Sequence, residues 1–397
     1  MRRDSEFVKL LAASFVSQTG SYFLTIALAG FVLAESGSVV AASLVFTLSY
    51  LPSIFVGSGL GDWLDRRLSR RLLVWNEAVA ILISLLCGIC IGLKLPLAFL
   101  CALVSLRSIL LSITRTGGLR WIKLITPPED QAKRAKLFLL SFFLSTAVAG
   151  ILVAQVLRQP SIRIVVVVDV VTYLLSICIL LWLRSLPTSD SAGVRAYGTF
   201  NLVTTIRAIV SQPVLAVDFY SVCFSQAIFQ GAYSVLISYL PIARFHVGVH
   251  GIGRFQIAAS SGIILGFIML WVSPDFLVSR GMRLVTVLLA GISLVACVSA
   301  PTRVASILCF FLLLGAFEIV WLFSSARIFQ NIPKESIGRY QFVMTSTASC
   351  VMAFFTLLYS FMIEYFGLRI GIISIMSVGL LVWLFLGSRD VEQWKTL

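Results

Sequence analysis

Runs of about twenty residues with almost no charge recur along the whole chain, and no other feature constrains its fold as strongly. A helix needs roughly 20 apolar residues to cross a bilayer core. Such runs lie at about 8–34, 39–60, 72–93, 97–121, 136–157, 163–185, 214–240, 251–273, 284–300, 303–325, 339–363 and 367–387. Hydrophobic residues make up 59% of the sequence and charged ones 12%, against roughly 45–50% and 25% in a soluble domain. A soluble core cannot hide that much apolar surface. Many runs are apolar almost without interruption, which favours helices over a barrel, whose strands would alternate in segments of about ten. The 397 residues therefore read as about twelve transmembrane helices. The first run, Phe7 to Leu33, is too long for a cleaved signal and lacks a small-residue cleavage site.

Orientation follows from Lys and Arg, because positive loops stay on the cytoplasmic side. With the N-terminus inside, about 23 of the 31 basic residues fall on inner segments and about 7 outside. Arg66, Arg67, Arg70 and Arg71 crowd one inner loop, and Arg120, Lys123, Lys133, Arg134 and Lys136 the next. The net charge of +14 is then topology and attraction to lipid headgroups, not a nucleic-acid footprint. Both termini are expected in the cytoplasm. All eight cysteines fall inside predicted spans, where a thiol behaves as a small apolar group. His246 and His250 share a short outer loop with no third metal ligand in view.

The chain also echoes itself. Asp62-Trp63-Leu64-Asp65-Arg66-Arg67-Leu68-Ser69-Arg70 after the second span matches Asp275-Phe276-Leu277-Val278-Ser279-Arg280-Gly281-Met282-Arg283 after the eighth: Asp, aromatic, Leu, then Arg at two matching places. Ile125-Thr126-Pro127-Pro128-Glu129 after span four is echoed by Asn331-Ile332-Pro333-Lys334-Glu335 after span ten. Both echoes come six spans later, which points to a six-helix unit duplicated in parallel. The expected division is a first bundle at 1–186, a cytoplasmic linker at 187–212, polar and glycine-containing from Pro187 to Asn201, and a second bundle at 213–397.

Gly61-Asp62-Trp63-Leu64-Asp65-Arg66-Arg67-Leu68-Ser69-Arg70-Arg71 resembles the cytoplasmic signature loop of the major facilitator superfamily: Gly, three residues, Asp-Arg, then a basic cluster between helices two and three. The resemblance implies an all-α membrane protein of two six-helix bundles, with Gly61, Asp65, Arg66, Arg70 and Arg71 gating the inner face through charge-assisted contacts at helix ends. Arg107 in span four is placed like the buried arginine of the superfamily's exporters. Pro127-Pro128-Glu129-Asp130 and Gln330-Asn331-Ile332-Pro333 through Gly338-Arg339 look like the branch containing macrolide-efflux and enterobactin-export proteins. The exporter glycines of span five are reduced to Gly150, and the Gln-Gly usual after the span-four arginine is absent.

A charge at membrane depth costs roughly 2.5 kcal/mol or more and normally meets a partner or a wet cavity. Arg107 lies near the midplane of span four and Glu318 in span ten, its repeat counterpart, so a coupled Arg107–Glu318 pair is expected. Asp169, Asp218 and Glu77 sit about five or six residues from span ends, able to snorkel toward headgroups; all three are weaker candidates for a transport role, and Asp169 and Asp218 join the coupling candidates. Gln18, Gln226, Gln230 and Trp321 are candidate cavity-lining residues, with interhelical hydrogen bonding or packing as the alternative.

No phosphate-binding Gly-x4-Gly-Lys-Ser/Thr, His-Glu-x-x-His or Gly-x-Ser-x-Gly occurs, so an enzyme is not expected and energy should come from an ion gradient. The expectation is a monomeric secondary transporter of the bacterial inner membrane, without cofactor or metal. It would export a small amphipathic cargo, of drug or siderophore type, by proton antiport, with lipids and protons as its other partners. Import of a polar nutrient, or a non-transporting receptor or assembly role, stays open. Reporters fused after Arg67, Lys133, Gly193 and Ser336 should read cytoplasmic and those after Gly37, Lys94 and His246 external; a consistent inversion would overturn the orientation.

Overall fold

A computed structural model of the protein describes residues 2–51, 67–157, 161–183, 202–272, 280–331 and 337–393. The described residues are helical, with short turns and no strand. In chain order the helices are α1 (Arg2–Ser36), α2 (Val39–Leu48), α3 (Arg70–Gly92), α4 (Leu97–Ile125), α5 (Pro128–Val156), α6 (Ile162–Leu181), the short α7 (Leu202–Val210), α8 (Pro213–Ser225), α9 (Gly231–Tyr239), α10 (Val249–Val272), α11 (Arg280–Ser299), α12 (Arg303–Asn331), α13 (Ile337–Phe366) and α14 (Leu368–Gln393). Among the described residues nine helices are long and apolar enough to cross a membrane. Val39–Leu48 and Leu140–Val156 are shorter apolar helices. α8 and α9 run on as one helix interrupted by wide π-helical turns at Gln226–Gln230 and Leu240–Arg244.

Helix starts are written in the sequence. Ser69 accepts the Leu72 N–H and caps α3, while α5 and α8 carry proline in their first turn, where no N–H is needed. At the other end, Arg70 donates to the carbonyls of Leu181 and Leu183 where α6 stops, and Arg244 donates to those of Cys297, Val298 and Ala300 where α11 stops. These arginines satisfy helix-end carbonyls that otherwise lack partners.

The chain divides into two compact units. Unit 1 is Met1–Glu35, Leu44–Gly198 and Val247–Ile257; unit 2 is Ser36–Ser43, Thr199–His246 and Ala258–Leu397. In unit 1 a core of Phe7, Leu10, Leu73, Trp121, Phe138 and Phe142 packs one end of the helices. Glycines set the closest approaches. A Cβ at Gly20 would strike Thr172 and the Asp169 carboxylate, and one at Gly88 would strike Val166, so α1 and α3 both press directly onto α6. In unit 2, Ile209, Leu215, Phe219, Val222, Ile328 and Val343 form the core. There Gly262 and Gly266, four residues apart on one face of α10, lie against Gly315 of α12, the small-residue spacing that lets backbones meet without a strong hydrophobic drive in lipid.

The expected repeat segments 62–70 and 275–283 fall mostly outside the described residues, as do the signature-loop residues Gly61, Asp65 and Arg66 and the linker from Pro187 to Asn201. A Cβ at Gly262 would run into the Phe311 carbonyl oxygen, and a helix backbone cannot yield as a side chain does. Gly262→Leu should therefore destabilise the folded protein by about 3 kcal/mol or more, at the upper end of overpacking effects. Gly92→Ala, which meets nothing within 4 Å, should leave thermal unfolding in detergent unchanged; an unshifted midpoint for Gly262→Leu would refute the close crossing.

Candidate functional site

Unit 1 buries a network of charged and polar side chains. Arg107 of α4, only 5% exposed, donates through Nη2 to Asp169 Oδ1 of α6 at 2.8 Å and through Nη1 to Ser84 Oγ of α3. Ser84 in turn lies 2.6 Å from the other Asp169 oxygen. The guanidinium also stacks 5.3 Å from the centre of the Tyr173 ring, and the Tyr173 hydroxyl shares a 2.9 Å hydrogen bond with Ser21 of α1. Four helices thus meet at one ion pair. Two turns along α3 and α4 lies a second polar level, where Asn76 Nδ2 donates to the Leu110 carbonyl and to Thr114 Oγ1 at 2.9 Å. The Thr114 hydroxyl faces Glu77 Oε1 at 3.4 Å.

A small pocket of about 20 Å³, room for about one water molecule, opens beside the ion pair. It is lined by Ser21, Tyr22 and Thr25 of α1, Ser49 and Tyr50 after α2, and Arg107 and Ser108 of α4, with Val104 and Leu111 as its apolar wall. Ser21, Thr25, Ser49 and Ser108 give their hydroxyl hydrogens to backbone carbonyls, so toward the pocket they offer lone pairs that suit hydrogen-bond donors, beside the guanidinium of Arg107. Gln18 is 1% exposed, and neither its amide nitrogen nor its oxygen has a hydrogen-bond partner among the described residues.

Two sequence expectations change here. Arg107 takes Asp169, not Glu318, as its ionic partner, because a carboxylate on a neighbouring helix of the same unit already engages it. Asp169 and Glu77 do not reach toward headgroups either: they are 0% and 2% exposed, and the faces that carry them turn into the helix packing. Their distance from a span end was readable in the sequence; the direction of the face was not. Gly20 and Gly88 were the available signal, since a glycine within an apolar helix often marks a close approach.

In unit 2, Asp218 is buried at the start of α8 with Arg283 Nη1 at 3.5 Å and Arg327 Nε at 3.2 Å. It ties together ends of three helices, α8, α11 and α12, and lines neither pocket described here. Glu318 is 1% exposed beside Gly266, and its Oε1 has no hydrogen-bond partner among the described residues. Trp321 packs at the edge of the unit 2 core. Gln226 and Gln230 bound the first π-turn, a feature the sequence did not announce and one often found at functional sites. Tyr359 of α13 donates to the Ile228 carbonyl inside that turn at 3.2 Å. The turn borders a largely apolar cavity of about 480 Å³, with Phe224, Ala227 and Ile228 on one side and Phe355, Met362 and Val378 among the rest of its lining. Of the signature-loop residues that are described, Arg70 holds the end of α6 and Arg71 is exposed.

A profile of the Major Facilitator Superfamily matches residues 10–357. The chain belongs to the Major Facilitator Superfamily. It is a multi-pass membrane protein, and the family places it among transporters rather than enzymes. No curated protein matches it. Solved structures similar along nearly the whole length include a POT family transporter in complex with a thioalcohol-conjugated peptide (TM-score 0.75, 14% identity, 97% of this chain and 96% of that one). A bacterial homologue of the human lysosomal transporter Spinster, inward-facing and occupied, is also similar (0.72, 13%, 98% and 96%), as is a D-xylose-proton symporter (0.70, 14%, 96% and 96%). At these identities the likeness concerns the fold.

Removing one partner of a buried ion pair strands the other, at about 3–5 kcal/mol, whereas removing both can be far less damaging. Asp169→Asn and Arg107→Gln should each lower the thermal midpoint markedly, and the double variant should recover part of the loss. Additive losses in this double-mutant cycle would show that the two side chains do not depend on each other.

Proposed function

We propose that the protein is a proton-coupled secondary transporter that exports a small amphipathic molecule across the bacterial inner membrane. The observation that carries this reading is the hydroxyl-lined pocket with Arg107 in its wall, directly backed by the buried Asp169. A pocket that shares its one cation with a buried acid joins cargo contact to a charge that protonation can alter. The apolar cavity of unit 2, about 480 Å³, lies within the range of small-molecule sites and by itself suits an apolar cargo portion. The neighbours named as a D-xylose-proton symporter and a POT transporter bound to a peptide conjugate support small cargo and proton coupling on this fold. Outward direction rests on the placement of Arg107, which resembles that in the superfamily's exporters. Import of a polar nutrient is the second reading, favoured by the hydroxyl-rich lining itself.

The test is accumulation of fluorescent amphipathic dyes and of catecholate siderophores in inverted membrane vesicles under an imposed pH gradient. Export by antiport predicts uptake driven by an acidic lumen and abolished when the gradient is collapsed. Arg107→Lys keeps the charge but loses the planar donor fork that meets Asp169, Ser84 and the pocket together, and should reduce uptake at least tenfold. Accumulation only in right-side-out vesicles, with cargo and protons moving together, would replace export by import.

A further inference from the structure

Among the described residues, the buried charges around Arg107 in unit 1 do not balance. Arg107 contributes one positive charge, while Asp169 and Glu77 are two acids, all three buried. Asp169 is satisfied on both oxygens by Arg107 and Ser84. Glu77 is not: Oε1 has one long contact from Thr114 at 3.4 Å, the Ser17 hydroxyl lies beside the carboxyl, and Oε2 has no hydrogen-bond partner among the described residues. It lies seven residues from Ser84 on α3, about 10 Å along the helix toward Arg70. The groups facing it are Ser17 of α1, Asn76 of its own helix and Thr114 of α4, with Arg107 of α4 and Asp169 and Tyr173 of α6 as the nearby titratable groups. None of these is a second cation. Thr114 already accepts from Asn76, so its one hydrogen is free to point at Glu77.

An ionised carboxylate met only by neutral hydroxyls inside a helix bundle is far costlier than a neutral one. With a proton on Glu77 the three groups sum to zero, and without it they sum to −1. We infer that Glu77 is a proton-binding site of the transport cycle, holding its proton in the arrangement described and exchanging it with water when the surrounding helices rearrange. The step is a simple dissociation: the O–H bond of the carboxyl breaks, the proton passes to water on one side of the membrane, and a proton from the other side restores it. The site lies on α3, one helix removed from the pocket. Among the described residues Arg107 is the charged residue common to the pocket lining and the cluster, and it links proton occupancy to cargo contact. This inference rests on the proton-coupled reading above.

Two measurements separate the two. Infrared difference spectra of the purified full-length protein in lipid bilayers, taken between acidic and alkaline buffer without cargo, report the carbonyl stretch of protonated carboxyl groups. Asp169 and Asp218 are buried against arginines, whereas Glu318 is buried with no ion pair among the described residues, so the comparison is made in the Glu318→Gln background. There the band should titrate in the Glu318→Gln protein, vanish in Glu77→Gln/Glu318→Gln, and return with Glu77→Asp, which also controls for misfolding of the Gln variant. Coincident spectra with and without Glu77 would overturn the assignment. In vesicles, Glu77→Gln should keep downhill cargo flux and lose at least tenfold of the flux driven by a pH gradient. If the wild type responds to the gradient and Glu77→Gln responds equally, the assignment fails and proton-coupled transport stands; if the wild type ignores the gradient while the infrared band behaves as stated, coupling fails and the site stands.

Discussion

The arrangement of unit 1 depends on one ion pair, Arg107 with Asp169. In lipid there is little hydrophobic drive between helices, so what brings them together is close packing and the need to satisfy polar groups. A guanidinium on α4 and a carboxylate on α6, each nearly excluded from solvent, can be tolerated only together. Ser84 of α3 completes the pair, and Gly20 of α1 lets that helix lie against the carboxylate without a side chain between them. Four helices are thereby fixed at one depth. A buried pair of this kind is weak evidence for extra stability, because desolvation consumes much of its attraction. Its value lies in specificity: other ways of packing these apolar faces would leave a charge in hydrocarbon.

That pair explains which parts of the molecule could be read from the sequence. About twelve spans could be read because length and apolarity are properties of a segment alone, and among the described residues nine helices are long and apolar enough to cross a membrane. Arg107 stood out because a charge at the middle of an apolar run is costly wherever its partner lies. The partner was not visible. Asp169 and Glu77 sit nearer the ends of their runs, where a side chain can often reach water, and only the helix azimuth shows that these two turn inward. A single sequence encodes azimuth weakly when a helix is apolar all round, as α6 is.

The π-turns were hidden for a related reason. Gln226-Ala227-Ile228-Phe229-Gln230 contains no glycine or proline to break the helix, so the widening there comes from tertiary packing. Gly231 leaves the backbone of α13 close by, and the Tyr359 hydroxyl takes up the Ile228 carbonyl. A bulge stabilised by a residue some 130 positions away leaves no local trace. The two glutamines were singled out for their polarity within an apolar run, and the structure adds that they frame a local departure from α-helical geometry.

The two units then differ in where they keep their charges. Unit 1 holds Arg107, Asp169 and Glu77 among helices within the membrane span. Unit 2 places Asp218 between Arg283 and Arg327 at helix ends and leaves Glu318 as an acid deep within α12. If the halves descend from one six-helix ancestor, as their echoed loops imply, the duplicate has kept the helices and not the charges. Depth decides the consequence. Arg283 and Arg327, 15% and 28% exposed, can exchange partners with water and headgroups around the buried Asp218, so that cluster suits fastening. Charges inside the bundle cannot, and each change in their protonation or pairing must be matched by a change in the surrounding structure. Under the proposed proton coupling, this ties the Arg107, Asp169 and Glu77 cluster of unit 1, and Glu318 within unit 2, to the arrangement of the helices around them.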